Sequence, residues 1–112
     1  MRASDVRRLA RALPEAEERQ TWGEATFRVR GRIFAMLSPD GAHASVKAAP
    51  EEQAALVGSD PETFAVAAYT GRFGWVRVTI ARVDPAEMRE LLEEAWRRTA
   101  PRRLVATFDG AS

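Results

Sequence analysis

The segment at residues 26–37, TFRVRGRIFAML, restricts the fold of this chain more than any other part of the sequence. Its apolar side chains alternate with Arg28 and Arg30, which is the two-residue period of a strand with one buried and one solvated face. Gly31 supplies the permissive backbone of a tight turn, and an almost continuously apolar run follows at 32–38. The segment therefore predicts an antiparallel β-hairpin whose arginines lie on one side of a sheet.

Turn and capping signals divide the rest of the chain. The run 38–41, Ser-Pro-Asp-Gly, is a strong turn signal. The run 84–87, Asp-Pro-Ala-Glu, combines an N-cap, a first-turn proline and an acidic third residue, which predicts the start of a helix. Periodicity then predicts helices from Ser4 to about Leu13, Ala49 to about Val57 and Asp84 to Pro101, strands at 18–22, 25–30, 32–38, 42–48 and 75–83, and an extended or strand-like segment at 64–69.

This order predicts a two-layer α+β domain, α–β(3–4)–α–β(2)–α, with an antiparallel sheet and helices on one face. The chain of 112 residues fits one domain spanning 1–112. Within it we expect 104–108 to dock locally and 109–112 to fray. Trp22 and Trp96 are expected in the core.

The composition argues against several classes of functional site. The chain has no cysteine, which excludes disulfides, a thiolate nucleophile and cysteine metal ligands. Its one histidine, His43, lies on a predicted strand without a suitably spaced acid, so we expect no metal, no cofactor and no enzyme activity. The longest apolar runs, 33–37 and 64–69, fall well short of the roughly 20 residues of a membrane span. There is also no signal-peptide core, so we expect a cytoplasmic protein without membrane contact.

Positive charge is concentrated in the N-terminal part of the sequence. The formal net charge is only +1, which argues against a strongly cationic nucleic-acid binder. Residues 1–48 nevertheless carry nine cations against six acids, whereas residues 49–99 carry six against nine. Arginine suits phosphate wherever it clusters. One such basic patch is expected on the first helix, from Arg2, Arg7, Arg8 and Arg11.

Four short motifs carry a family resemblance, and these are Trp-Gly at 22–23, TFRVRGRIFA at 26–35, VKAAPEE at 46–52 and GRFGWVRV at 71–78. In this order they make the chain similar to the MmcQ/YjbR-like family of small bacterial proteins, from about Val6 to about Val105. The ending LLEEAWRRTAPRRLVA departs from the shorter ending common in that family. The role of residues 96–108 is therefore open.

The resemblance implies a fold like that of the type III secretion chaperones. It also implies DNA binding through a "double wing", a pair of hairpins that contact the nucleic acid. By position in this sequence, the hairpin around Gly31 and the loop before Trp75 correspond to the wings.

The candidate nucleic-acid-binding residues are the cations of the hairpins and the sheet face, with one aromatic: Arg28, Arg30, Arg32, Lys47, Arg72, Trp75 and Arg77. A guanidinium group pairs with phosphate, and an indole ring stacks on a base. Contacts of this kind predict weakly specific, salt-dependent binding of DNA.

Two alternatives use the same residues. Each arginine could equally be a solvated outward side chain, and Trp75 could belong to the core if the register of its strand shifts by one residue. The open sheet face could also pair two copies of the chain into a homodimer or hold a protein partner.

Overall fold

The computed structural model, which describes residues 1–110, contains one six-stranded antiparallel sheet and four helices. The helices are α1 Ala3–Arg11, α2 Pro50–Ser59, α3 Pro85–Thr99 and α4 Arg102–Gly110. The strands are β1 Ala16–Thr21, β2 Glu24–Val29, β3 Arg32–Leu37, β4 His43–Val46, β5 Phe64–Val66 and β6 Val76–Thr79. The predicted α+β class and antiparallel sheet are confirmed.

The strands lie in the order β1-β2-β3-β4-β6-β5, so β6 is inserted between two strands that precede it in the chain. Helices α1 and α3 cover one face of the sheet, where Val6 and Leu92 belong to the same buried core as Phe27. Trp96 of α3 is fully buried and donates its indole N–H to the carbonyl oxygen of Pro14 at 3.0 Å. Its predicted place in the core is confirmed. Helix α2 packs at the β5 edge.

Local hydrogen bonds cap the N-terminal ends of α3 and α1. The Asp84 carboxylate accepts hydrogen bonds from the backbone N–H groups of Ala86 and Glu87, which confirms the predicted N-cap of α3. Helix α1 begins at Ala3, one residue before the predicted start, and its N-cap is Arg2. The Arg2 backbone N–H donates to the Asp5 carboxylate at 2.8 Å, so the acid in the first turn stabilises this end.

Two hairpins have the same kind of tight turn. The pairs Trp22-Gly23 and Arg30-Gly31 both have positive φ at each central residue, 54° and 82° in the first and 51° and 81° in the second. This geometry matches the right-handed twist of the flanking strands. The hairpin around Gly31 is therefore confirmed. The prediction that Trp22 is in the core is wrong, because the turn leaves its side chain 98% exposed.

The C-terminal segment contains a helix that the sequence pattern did not predict. Helix α4 docks on α3 through Phe108, whose ring centre lies 5.1 Å from that of Trp96 in an edge-on arrangement. Arg97 donates to the Asp109 carboxylate at 2.8 Å. Asp109 and Gly110, which were expected to fray, are the last two residues of α4, and residues 111–112 lie outside the described residues.

The connection between β5 and β6 replaces the second half of the extended or strand-like segment predicted at 64–69. After β5 it forms a short 3₁₀ turn at Gly71–Phe73, and Gln53 of α2 holds it by donating to the carbonyl oxygens of Gly71 and Trp75, both at 2.8 Å. Gly74 closes the turn at φ 101°, and a side chain there would overlap the carbonyl oxygen of Ala48. The segment is thus fixed against α2 and the end of β4.

None of the helices in the described part of the chain has the combination of length and apolarity that a membrane-spanning segment requires.

Candidate nucleic-acid interface

The candidate site is the face of the sheet opposite α1 and α3, called the open face below. Strand register decides which side chains it carries. Buried Phe27 is opposite Ala35, and Ala35 is opposite Val46, so these positions face the helices. Their neighbours along each strand face the other way. The open face carries Glu17, Arg19, Thr21, Glu24, Thr26, Arg28, Met36, His43, Ser45, Lys47 and Arg77.

Arg28 lies on the open face and is held in place by two threonines. Its Nε donates to the Thr26 hydroxyl at 3.2 Å, and a terminal nitrogen donates to the Thr21 hydroxyl at 3.3 Å. Thr26 is itself buried and donates to the backbone carbonyl of Arg19 at 3.0 Å. Since a guanidinium group has five N–H donors and both partners are neutral, Arg28 keeps its full charge and free donors for a ligand.

Lys47 and Arg77 lie on the same face, two and three strand positions away from Arg28. The Lys47 backbone N–H bonds to Phe34 of β3, next to the residue paired with Arg28. Two strand spacings separate Lys47 from Arg28, which is about 10 Å between backbones. Arg77 is the partner of Ser45 and therefore a diagonal neighbour of Lys47, at about 7–8 Å.

The three cations share one electrostatic property. Among the described residues, no carboxylate lies within ion-pair distance of Arg28, Lys47 or Arg77. Glu17, the cross-strand partner of Arg28 on β1, is ion-paired with Arg19 at 3.1 Å. The open face therefore holds three cations without an ion pair, on β2, just past the end of β4 and on β6, and it also carries the acids Glu17 and Glu24.

Arg30 and Arg32, two of the predicted wing residues, do not join this band. Arg30 makes a two-pronged ion pair with Glu15, with N–O distances of 2.6 and 3.0 Å. That hydrogen bonding holds the pKa of Glu15 below its ordinary value and raises the pKa of Arg30. Arg32 lines a separate concavity with Arg98 and Pro101 at the end of α3, on the helix side of the sheet.

Arg72 and Trp75 lie at the β5–β6 connection. Arg72 is exposed, and its guanidinium carbon lies 4.7 Å from the centre of the Phe73 ring. Trp75 precedes β6 and is only 8% exposed. A ring that is buried to this extent has no free face for a base, so the stacking role predicted for Trp75 is not available in this structure. Its burial depends on the folding of the connection, which strand alternation does not reveal.

Exposed aromatic side chains elsewhere were missed by the sequence reasoning. Tyr69 is 95% exposed and Phe73 is 62% exposed, both in the β5–β6 connection, and Trp22 projects from the first hairpin. Tyr69 has a φ of 63°, which is uncommon for a bulky residue. The available signal was the run AAYTGRFGW, in which aromatics occur beside glycines in a loop and not in an alternating strand.

Tyr69 and Arg77 line one shallow concavity on the open face. Its volume is about 360 Å³. The lining residues are Glu24, Met36, Ser38, His43, Ser45, Ala68, Tyr69, Thr70 and Arg77. An exposed ring, an apolar floor at Met36 and an uncompensated cation therefore adjoin one another.

Residues 1–110 contain no group of three histidine or acidic side chains that could hold a metal ion. Two of the four arginines in the basic patch expected on α1 are compensated, and Arg2 and Arg11 have no ion pair among the described residues. Arg7 pairs with Glu18 at 3.0 Å and Arg8 pairs with Asp5 at 3.2 Å. The open face is thus the better candidate for binding an anionic ligand.

Comparison with known proteins agrees with the fold. A family model described as YjbR matches residues 11–98. The chain belongs to the YjbR family. The crystal structure of a Deinococcus radiodurans protein with the family-model domain DUF419 is similar, with a TM-score of 0.76 and 24% sequence identity. The similarity covers 83% of this chain and 74% of that one. No curated protein matches the sequence.

The matched region of this YjbR chain ends before α4. Residues 11–98 include all six strands, α2, and α3 without its last residue, Thr99. The docked helix that carries Phe108 therefore lies beyond the matched region.

Proposed function

We propose that this YjbR-family domain is a DNA-binding module without catalytic activity, and that it contacts phosphates through the open face. The observation that supports the proposal is the band of Arg28, Lys47 and Arg77, three cations without a carboxylate partner among the described residues. Cations that protein carboxylates do not compensate are available to exchange their counterions for phosphate groups.

The geometry favours weak sequence preference. Arg28 and Arg77 are carried by paired strands, and Lys47 follows the end of β4 with its backbone N–H bonded to Phe34, so the three present charge at fixed spacing. The concavity on the open face is lined by strand and loop residues and by no residue of a described helix, so no helix is placed there to read base edges in a groove. Contacts to the backbone position a protein on DNA but carry no sequence information. Arg72 at the rim is a fourth candidate contact, whereas Arg30 is neutralised by Glu15.

The test is a fluorescence anisotropy titration of one labelled oligonucleotide in single-stranded and duplex forms, at about 50 to 200 mM salt. The wild-type protein should bind at least one form, with an affinity that falls steeply as salt rises. In the variant Arg28→Ala/Arg77→Ala the slope of log affinity against log salt should decrease by about 1.4–1.8, because two phosphate contacts are lost.

The matched control is Arg89→Ala/Arg103→Ala, which removes the same charge from exposed positions on α3 and α4. It should leave the slope close to that of the wild type. Failure of both DNA forms to bind at low salt would refute the proposal, since the electrostatic attraction is strongest there.

A protein-interaction function is the second candidate, and one observation favours it. Large apolar side chains are exposed along the connection from β5 to β6, at Val66, Tyr69 and Phe73. Such a surface is typical of an interface with a second copy or another protein. Light scattering of the pure protein distinguishes the cases. A dimer that dissociates in Tyr69→Asn would favour this function over DNA binding.

A further inference from the structure

We infer that the open face binds single-stranded DNA and that Tyr69 is a platform on which an unpaired base stacks. The inference rests on the proposed function and adds the form of DNA that the site takes. It depends on three features: the exposure of Tyr69, its position beside Arg77, and the backbone conformation that holds it there.

Tyr69 presents nearly all of its side chain to solvent. Its relative exposure is 95%, and its φ of 63° lies in the left-handed region. A bulky residue in this region is strained, and such strain persists only where the surrounding structure fixes it. The fixing contacts are present, because the Gly71 N–H bonds to the Ala67 carbonyl at 2.9 Å and the Ala67 N–H bonds to the Trp75 carbonyl at 3.2 Å. The exposed ring is therefore on a defined support.

The ring adjoins the cations of the open face. Tyr69 and Arg77 line the same concavity, and Lys47 is a diagonal neighbour of Arg77 across β4 and β6. Glu24 lines the concavity from β2, three strand positions away from Arg77. Phosphates near Arg77 and Lys47 would thus bring their attached bases close to Tyr69, and the repulsion from this acid falls with its distance from them.

Single strands are the form of DNA that this arrangement suits. In a duplex each base is stacked between its neighbours, and only base edges are accessible in the grooves. A single strand can turn a base out onto an aromatic ring, and a cationic surface with exposed aromatics is the usual means of binding it. Every base has a flat face, so stacking is compatible with the weak sequence preference proposed above.

The experiment compares a labelled 12-nucleotide oligothymidine with a 12-base-pair duplex in the wild type and two variants. Tyr69→Asn removes the ring but keeps a residue that tolerates the left-handed region, whereas Tyr69→Phe keeps the ring. The single strand should bind more tightly than the duplex. Tyr69→Asn should lose about 5- to 150-fold in affinity for the single strand, and Tyr69→Phe should stay near the wild type.

Several results would overturn the inference. Binding of the duplex as tightly as the single strand, with loss of affinity in Arg28→Ala/Arg77→Ala, would leave the proposed function intact and reject the single-strand assignment. Equal affinity of Tyr69→Asn and the wild type would reject stacking. Tighter binding of the matching RNA would reject the assignment to DNA. Absence of binding to any nucleic acid would reject the proposed function as well.

Discussion

The structure predicts opposite outcomes for two neighbouring arginines that look alike in sequence. Arg28 and Arg30 both alternate with apolar residues in β2 and its turn, and both are candidates for phosphate contact. Arg28 is bonded only to neutral hydroxyls, whereas both hydrogen bonds of Arg30 end on the Glu15 carboxylate. We therefore expect Arg28→Ala to weaken DNA binding strongly and Arg30→Ala to weaken it little.

The expected magnitudes differ by an order of magnitude or more. A hydrogen bond to a charged group contributes about 1.5–3 kcal/mol, so loss of the Arg28 contact should raise Kd about 10- to 150-fold. Arg30→Ala leaves the Glu15 carboxylate unpaired and changes the charge by the same amount. At about 10 Å in water one charge contributes about 0.4 kcal/mol, so Kd should rise about twofold.

The assay is an anisotropy titration of single-stranded DNA at about 50 mM salt, with Arg28→Lys as a third variant. The lysine keeps the charge but not the planar fork, so its Kd should fall between those of the wild type and Arg28→Ala. Thermal melting checks that each variant is folded. Equal losses in Arg28→Ala and Arg30→Ala would refute the distinction drawn from the ion pair.

Three further predictions concern the fold and its ionisable groups. Gly74→Ala should lower the free energy of unfolding by about 2 kcal/mol or more in chemical denaturation, because the added methyl overlaps a backbone carbonyl at positive φ. Gly58→Ala in α2 places its methyl in open space and should raise the free energy of unfolding by about 0.5–1 kcal/mol. Trp96→Phe leaves the carbonyl bonded by the indole without a partner and should cost about 1–3 kcal/mol, seen as a lower Tm. In an NMR titration the pKa of Glu15 should lie below its ordinary value and return to it in Arg30→Ala. Because the folded-state pKa is depressed, this pair stabilises the fold above the pKa of the unfolded state, and the effect is lost as pH falls through the folded value.

Features encoded locally were predictable from the sequence. The N-cap at Asp84 and the hairpin at Gly31 depend on residues within one turn, and both are confirmed. The position of Trp22 was wrong because the backbone geometry of a two-residue turn overrode the hydrophobicity of the side chain. Helix α4 was missed because its docking depends on Phe108 meeting Trp96, a contact between segments that periodicity does not connect.

The site was predictable only in part. Alternation identified Arg28 and Arg77 as outward residues, but their common surface depends on β6 pairing with β4, which chain order does not specify. The charge of Arg30 is neutralised by Glu15, which lies 15 residues away in the sequence and meets it only in the folded chain. The burial of Trp75 and the exposure of Tyr69 both follow from the folded β5–β6 connection, which was expected to be partly strand.

The central claim is that DNA lies on the open face, and chemical-shift mapping of nitrogen-15-labelled protein with single-stranded DNA tests it most directly. We expect shifts in the backbone amides around Arg28, Lys47, Tyr69 and Arg77, decreasing as salt is added, while amides on the outer surface of α3 around Arg89 stay unchanged. Shifts confined to the helices, with the amides of β4 and β6 unmoved at saturation, would contradict it.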